Sequence, residues 1–165
     1  MKKTAAYYKK ALQLMDHPEG GCFKEVYRSE ESVVTAGLPS RFGTSRAIST
    51  SIYFMLESGE QSVFHRIKSD ETWHFYDGDP LEIHAISPQG QYRKYLLGLD
   101  PEKGFMPQIT IPHGDWFSAQ SLGDFTLVGC TVAPGFDFQD FEMGARHNLI
   151  QEFPQHQKII ETFTK

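Results

Sequence analysis

Between residues 47 and 132 the chain falls into eight short stretches of strand-forming residues, with no helical repeat between them. They run over 47–57, 62–67, 72–77, 81–87, 92–99, 107–111, 115–119 and 124–132. The breaks carry turn residues: Ser58-Gly59, Ser69-Asp70, Gly78-Asp79-Pro80, Pro88-Gln89-Gly90, Pro112-His113-Gly114 and Leu122-Gly123-Asp124. Many short strands at even spacing, without intervening helices, fold as a sandwich or closed barrel. The flanks differ. Residues 4–15 read as a helix, with Thr4 as its cap, Tyr8, Leu12 and Met15 on one face, and Asp16-His17-Pro18 as its stop. After Gly20-Gly21 the period becomes two, placing Phe23, Glu25 and Tyr27 on one face of a strand and Lys24, Val26 and Arg28 on the other. Residues 36–46 read as a loop. Beyond 137, Asp140–Gly144 and Asn148–Phe153 suggest helical turns, and Gln157–Phe163 a last strand or helix. No repeat or linker interrupts the chain, so residues 1–165 are expected to form one domain with its barrel at about 20–135.

A net charge of −5 leaves no basic face for phosphate backbones, which argues against nucleic acid as a partner. No apolar run approaches the length that spans a bilayer, and the Lys- and Tyr-rich start carries no apolar leader. A cytoplasmic protein with no membrane partner is the expectation. Cys22 and Cys130 read as two separate buried thiols. Aromatic residues make up 13% of the chain, enough to line a pocket with rings as well as fill a core.

Four residues in the middle of the chain point to a particular barrel. Gly59, His65, Glu71 and Gly78 stand at the spacing G-x5-H-x-(H)-x3-E-x6-G, with Ile67 where a second histidine would stand. This resembles the first signature of the cupin superfamily, small β-barrels that turn histidines and a glutamate into a central pocket. The second signature is matched by Pro112 and Gly114, but Phe117 and Ser121 replace its histidine and asparagine. Of the usual metal ligands, only His65 and Glu71 are present. No cofactor is therefore expected; a weak divalent metal on His65 and Glu71 would need recruits such as His74, His84 or His113.

Longer stretches carry a closer resemblance. These are His17-Pro18-Glu19-Gly20-Gly21-x-Phe23-x-Glu25-x-Tyr27-Arg28-Ser29, Ser69-Asp70-Glu71-x-Trp73-His74-Phe75-Tyr76-x-Gly78-x-Pro80-Leu81, and Ala133-Pro134-Gly135-Phe136-x-Phe138-x-Asp140-Phe141-Glu142. They resemble the cupin-5, or DUF985, family over essentially the whole chain. The resemblance implies an all-β fold, a cupin double-stranded β-helix (jelly-roll barrel) with a short N-terminal helix and an irregular C-terminal tail. It also implies a homodimer in which the strand around Phe23–Arg28 crosses to the partner. That family is similar in build to the nucleotide-sugar epimerase cupins, which work without a catalytic metal.

Through that similarity His65 takes the position of the base that removes a sugar proton, with Glu71 as its orienting partner. A histidine suits the task, since its unperturbed pKa is about 6.5. Glu25 and Arg28 resemble the strand pair that helps bind the nucleotide, and arginine's planar fork fits phosphate. No tyrosine follows Cys130-Thr131 where those epimerases place their acid; Tyr53 and Tyr76 are the substitutes on offer. Trp73 and Phe117 are candidate ring walls. His84 shares a strand face with Glu82 and joins the pocket only if Leu81, Ile83 and Ala85 point away from it. The leading functional reading is a cupin binding a small polar metabolite, a nucleotide or sugar derivative, with an isomerase- or epimerase-type proton shift. The alternatives are a non-catalytic binding module, or a metal-dependent oxygenase or isomerase with a reduced ligand set.

Overall fold

The computed structural model describes residues 3–165. In chain order the elements are α1 (Ala5–Leu12), β1 (Met15–Asp16), β2 (Cys22–Arg28), β3 (Ser32–Val33), β4 (Arg46–Ala47), β5 (Thr50–Glu57), β6 (Gln61–Arg66), β7 (Asp70–Gly78), β8 (Leu81–Ile86), β9 (Tyr92–Leu97), β10 (Gln108–Ile111), β11 (Trp116–Ser121), β12 (Phe125–Ala133), β13 (Glu142–Met143), α2 (Arg146–Glu152) and α3 (Gln157–Thr162). All eight segments expected between 47 and 132 are strands. They form two antiparallel sheets, one in the order β1-β2-β5-β12-β7-β10 and one in the order β13-β6-β11-β8-β9. This is the jelly-roll barrel that the family resemblance implies.

Between the sheets lies the main core. Phe54, Trp73, Leu81, Ile83, Phe117 and Val128 meet there, with Trp73 and Phe117 each 1% exposed. Because strand side chains alternate, the residues between them face outward, and each sheet needs a cover. Cys22, Met55, Phe125 and Leu127 are covered by Ala5 and Tyr8 of α1. Phe64, Ile86 and Trp116 are covered by Leu149 of α2, Ile160 of α3, and Phe153 and Phe163. The tail is thus more regular than expected: Gln157–Thr162 is helical, and its apolar face closes the outside of the five-stranded sheet.

Two local departures from the sequence reading have plain causes. Thr4 caps α1 as expected, its Oγ1 accepting from the Tyr7 N–H at 3.3 Å. The helix nevertheless ends at Leu12, because Gln13 takes the left-handed conformation (φ 55°) and its N–H closes on a carbonyl of the last turn. Met15 and Asp16 are then free to pair with Phe23 and Cys22. In β2 the register with β5 slips between Glu25 and Tyr27: Glu25 opposes Ile52, while Arg28 opposes Thr50. Strict period two puts Glu25 and Arg28 on opposite faces. The bulge turns them onto the same face.

Candidate functional site

That bulge brings β2 into a cavity at one end of the barrel. The cavity has a volume of about 70 Å³ and is lined by Glu25 and Arg28, by His65 and Ile67 at the end of β6, by Glu71 of β7 and by Cys130 of β12. His17, Glu19 and Phe23 enter from the N-terminal side, and Phe136, Phe138 and Phe141 from the segment after β12. Since about 10–15 Å³ holds one water, this space takes a few waters or one small polar group, not a whole large ligand.

Glu19 is the residue at the centre. It sits in the turn between β1 and β2, which is held by the Gly20 N–H on the His17 carbonyl and the His17 N–H on the Gly21 carbonyl. The Glu19 carbonyl also accepts from the Val63 N–H at 3.0 Å, tying the turn to β6. Gly20 has φ +111°, and a Cβ there would stand 2.1 Å from the Gln61 carbonyl oxygen. Only glycine lets the turn approach β6 this closely. Gly20→Ala is therefore expected to cost at least about 3 kcal/mol, from a backbone clash added to an unfavourable φ, read as a lowered midpoint in urea unfolding. A cost below about 0.5 kcal/mol would contradict this account of how Glu19 is placed.

The Glu19 side chain is buried and reaches His65. Its Oε1 accepts from Ser62 Oγ at 2.9 Å, and its Oε2 lies 3.1 Å from His65 Nε2 and 3.6 Å from His17 Nδ1. The other ring nitrogen of His65, Nδ1, is 2.8 Å from the Val63 carbonyl. A carbonyl only accepts, so Nδ1 carries a hydrogen, and in the neutral ring Nε2 is a lone pair facing Glu19. A proton must lie between Nε2 and Oε2 for that contact to hold. Burial pushes the Glu19 carboxyl up to about 7, with His17 and the Ser62 hydroxyl opposing the rise. Burial likewise lowers the pKa of His65, against the pull of Glu71 and the Val63 carbonyl. Both shifts favour the uncharged forms, a protonated carboxyl facing a neutral imidazole.

Glu71 faces the same space, and burial raises its carboxyl to about 7 as well, opposed by the charge of His65 and assisted by that of Glu19. The partner the sequence suggested for His65 was Glu71. The structure gives the hydrogen-bonding position to Glu19 and leaves Glu71 acting through charge. The nearby Cys130 thiol and Trp73 indole offset part of the Glu71 rise. The Cys130 thiol itself is pushed well above its ordinary value, chiefly by burial, with the charges of Glu71 and Glu19 adding to the rise.

Of the other expected site residues, Arg28 and Glu25 are at the mouth. Arg28 is already engaged: Nε and Nη2 donate to the two carboxylate oxygens of Glu25 at 3.1 and 2.7 Å, and Nη1 donates to the Phe136 carbonyl at 3.0 Å. The fork suggested for phosphate is spent on Glu25. Trp73 and Phe117 do not line the cavity; they back it, with the Phe117 ring centroid 4.1 Å from that of His65. Tyr53 lies on the outer face of β5, its ring against that of Tyr76, because the inward positions of that strand are Ile52, Phe54 and Leu56. His84 is outside the pocket for the same reason: Leu81, Ile83 and Ala85 point inward. It sits under the C-terminal segment, 2.7 Å from the Tyr92 hydroxyl and 3.2 Å from Glu82.

The metal site of the wider superfamily does not fit these residues. Ile67 and Phe117 occupy two of its histidine positions, and the Phe117 ring fills the space beside His65. His74 bonds Thr131, His113 bonds Asp70 and His84 bonds Tyr92, and none of the three lines the cavity. Among the described residues, no group of three or more His, Cys, Asp or Glu side chains is placed to hold a metal ion.

His17 and Glu19 were present in the stretches that carried the family resemblance, yet neither stood out as a site residue. Their signal was the Gly20-Gly21 pair beside them, which marks a turn forced close to another backbone.

A jelly-roll barrel with His65 and Glu71 turned into the cavity at its end is the build of the cupin superfamily. Within it, this chain belongs to the Cupin_5 family (DUF985), whose profile matches residues 7–144. It is similar to the uncharacterized protein YML079W of Saccharomyces cerevisiae, at 29% identity over 139 residues, 78% of this chain and 69% of the yeast protein. Two solved structures match nearly end to end. A hypothetical protein from Leishmania major has 35% identity and a TM-score of 0.89, covering 98% of this chain and 99% of that one. Protein SO0799 from Shewanella oneidensis has 38% identity and a TM-score of 0.89, covering 99% and 98%. Oxalate decarboxylase from Bacillus subtilis matches at a TM-score of 0.56 and 15% identity, covering 90% of this chain and 36% of its own length. That last likeness concerns the fold alone. Among the described residues, no helix is long and apolar enough to cross a membrane.

Proposed function

We propose that the cavity binds the reacting end of a small polar metabolite and moves a proton on it, as an isomerase or epimerase does, without a metal. One observation carries the reading: the Glu19 carboxyl 3.1 Å from His65 Nε2, beside a second buried carboxyl, Glu71, that is also raised to about 7. A general base works best when its pKa lies near the operating pH, and two such groups in one cavity provide both a base and an acid. The Glu19–His65 pair takes or returns one proton and Glu71 the other. The three titrate as a set rather than as separate residues. The cavity's small volume restricts the reacting group to something like a hydroxy-carbonyl carbon, while the rest of the ligand lies at the mouth beside Arg28 and Phe138.

The test is a screen of nucleotide sugars, nucleotides and free sugars for thermal stabilisation, followed by incorporation of solvent deuterium into any compound that binds. A ligand at 100 times its Kd adds about 2.7 kcal/mol of stability, which is readily seen. His65→Ala is expected to lower the exchange rate by about 10²–10⁴-fold while the compound still binds. An unchanged exchange rate in that variant would remove His65 from the chemistry. A ligand that binds tightly and never exchanges would make the cavity a binding module.

A further inference from the structure

A second concavity, a groove of about 470 Å³, runs beside the cavity, and Ile67 and Phe141 line both. Phe141 is the dividing wall: its ring centroid is 5.4 Å from that of His65 and 6.2 Å from that of His17. The groove is also lined by Arg41, Arg66 and Lys68.

The charges there do not cancel evenly. Three carboxylates are close, and each has a dedicated cation or donor. Glu142 accepts from Arg66 Nε and Nη2, both at 2.8 Å. Asp140, 3% exposed, is held by both Nε and Nη2 of Arg46 at 2.6 Å. Asp70 accepts from the His113 backbone and ring nitrogens at 2.9 Å each, and feels Arg41 only through its charge. Two cations remain. Lys68 stands 3.5 Å from Asp140, whose charge Arg46 already meets. Arg41 donates Nε to the Lys68 carbonyl at 2.6 Å and lies 5.0 Å over the Phe42 ring, and among the described residues its terminal nitrogens have no hydrogen-bonded partner. A guanidinium with open terminal nitrogens and an ammonium that shares Asp140 with Arg46, tied together by the Arg41 bond to the Lys68 backbone in a chain of net charge −5, form a local site for an anion.

We propose that this groove binds a phosphate group, with Arg41 and Lys68 as its recognition residues, and that the metabolite is accordingly phosphorylated. Its phosphate lies on the groove side of Phe141 and its reacting carbon on the cavity side; this second clause rests on the function proposed above. The assignment also meets a difficulty with the β2 pair. Arg28, the residue the sequence offered for phosphate, is committed to Glu25, whereas Arg41 keeps its terminal nitrogens uncommitted.

The experiment is titration calorimetry with inorganic diphosphate, in buffer of matched ionic strength. The unmodified chain should bind it, less tightly as chloride is raised, since the site is open to solvent. Arg41→Gln combined with Lys68→Gln should weaken binding at least about tenfold, the loss expected for charged hydrogen bonds. Lys68→Glu, which leaves the Arg41 bond to the backbone in place, should abolish binding while circular dichroism shows the fold intact. Glu19→Gln should keep diphosphate affinity within about twofold, because the groove is separate from the proton-sharing pair. No binding at millimolar diphosphate, or equal affinity in the Arg41/Lys68 variant, would overturn the groove assignment. Absence of deuterium exchange in the unmodified chain, with diphosphate binding retained, would count against the cavity chemistry and leave the groove standing.

Discussion

Asp140→Ala is expected to destabilise the protein by about 3–5 kcal/mol, because it strands a buried guanidinium. Arg46 and Asp140 are each 3% exposed at the side chain and joined by two bonds of 2.6 Å. In a domain of this size each kcal/mol lowers Tm by about 2–4 °C, so a drop of roughly 10 °C should be seen. The effect reaches the site, since Asp140 lies between Phe136 and Phe141 and fixes the segment that forms the rim of the cavity. Replacing both partners with apolar residues, Arg46→Met with Asp140→Leu, should recover at least half of the loss, because no charge is then left buried alone. If the double variant is as unstable as Asp140→Ala, the cost lies in rim packing and the ion-pair account is wrong.

Glu19→Gln should make the protein more stable at pH 8 and leave it nearly unchanged at pH 5. The folded chain holds the Glu19 proton up to about pH 7, while the unfolded chain releases it near 4.5. Between those values the folded state binds more protons, so stability falls as pH rises through the window. His65, with its lowered pKa, works in the opposite sense in acid: the folded state declines a proton that the unfolded chain accepts, and stability is lost as pH falls. Glutamine is a near-isostere of the protonated carboxyl, can donate to His65 Nε2 and accept from Ser62, and never ionises. At pH 8 the gain should be about 1–3 kcal/mol, or several degrees of Tm, with deuterium exchange lost. A residue that destabilises the fold at working pH is what a functional group looks like. Equal destabilisation at both pH values would mean that Glu19 serves only as a structural hydrogen-bond partner.

The barrel was legible because alternation and turn chemistry are local signals. Gly78, with φ +93°, and Gly59, with φ +81°, sit where the turns were expected. His65, Glu71, Glu25 and Arg28 were also legible, through spacing and resemblance, and the structure brings all four to one cavity. Tyr53 and His84 went astray through the facing of strands: alternation says that neighbours differ, but not which of them turns inward. Glu19 went unnoticed because its role comes from a long-range approach. Residue 19 meets residues 62 and 65 only after the Gly20-Gly21 turn has been pressed onto β6. The slip that unites Glu25 and Arg28 is likewise a register event, invisible to a period-two reading.

The central claim is that two buried carboxyls in this cavity titrate near neutrality, well above the ordinary carboxylate range. Infrared spectroscopy of the protonated-carboxyl C=O stretch reads this directly, with Glu19→Gln and Glu71→Gln assigning the bands. The account predicts bands present at pH 5.5, disappearing with midpoints near 7 and each missing from its own variant. Carboxyls already ionised at pH 5.5, with no band lost in either variant, would contradict it.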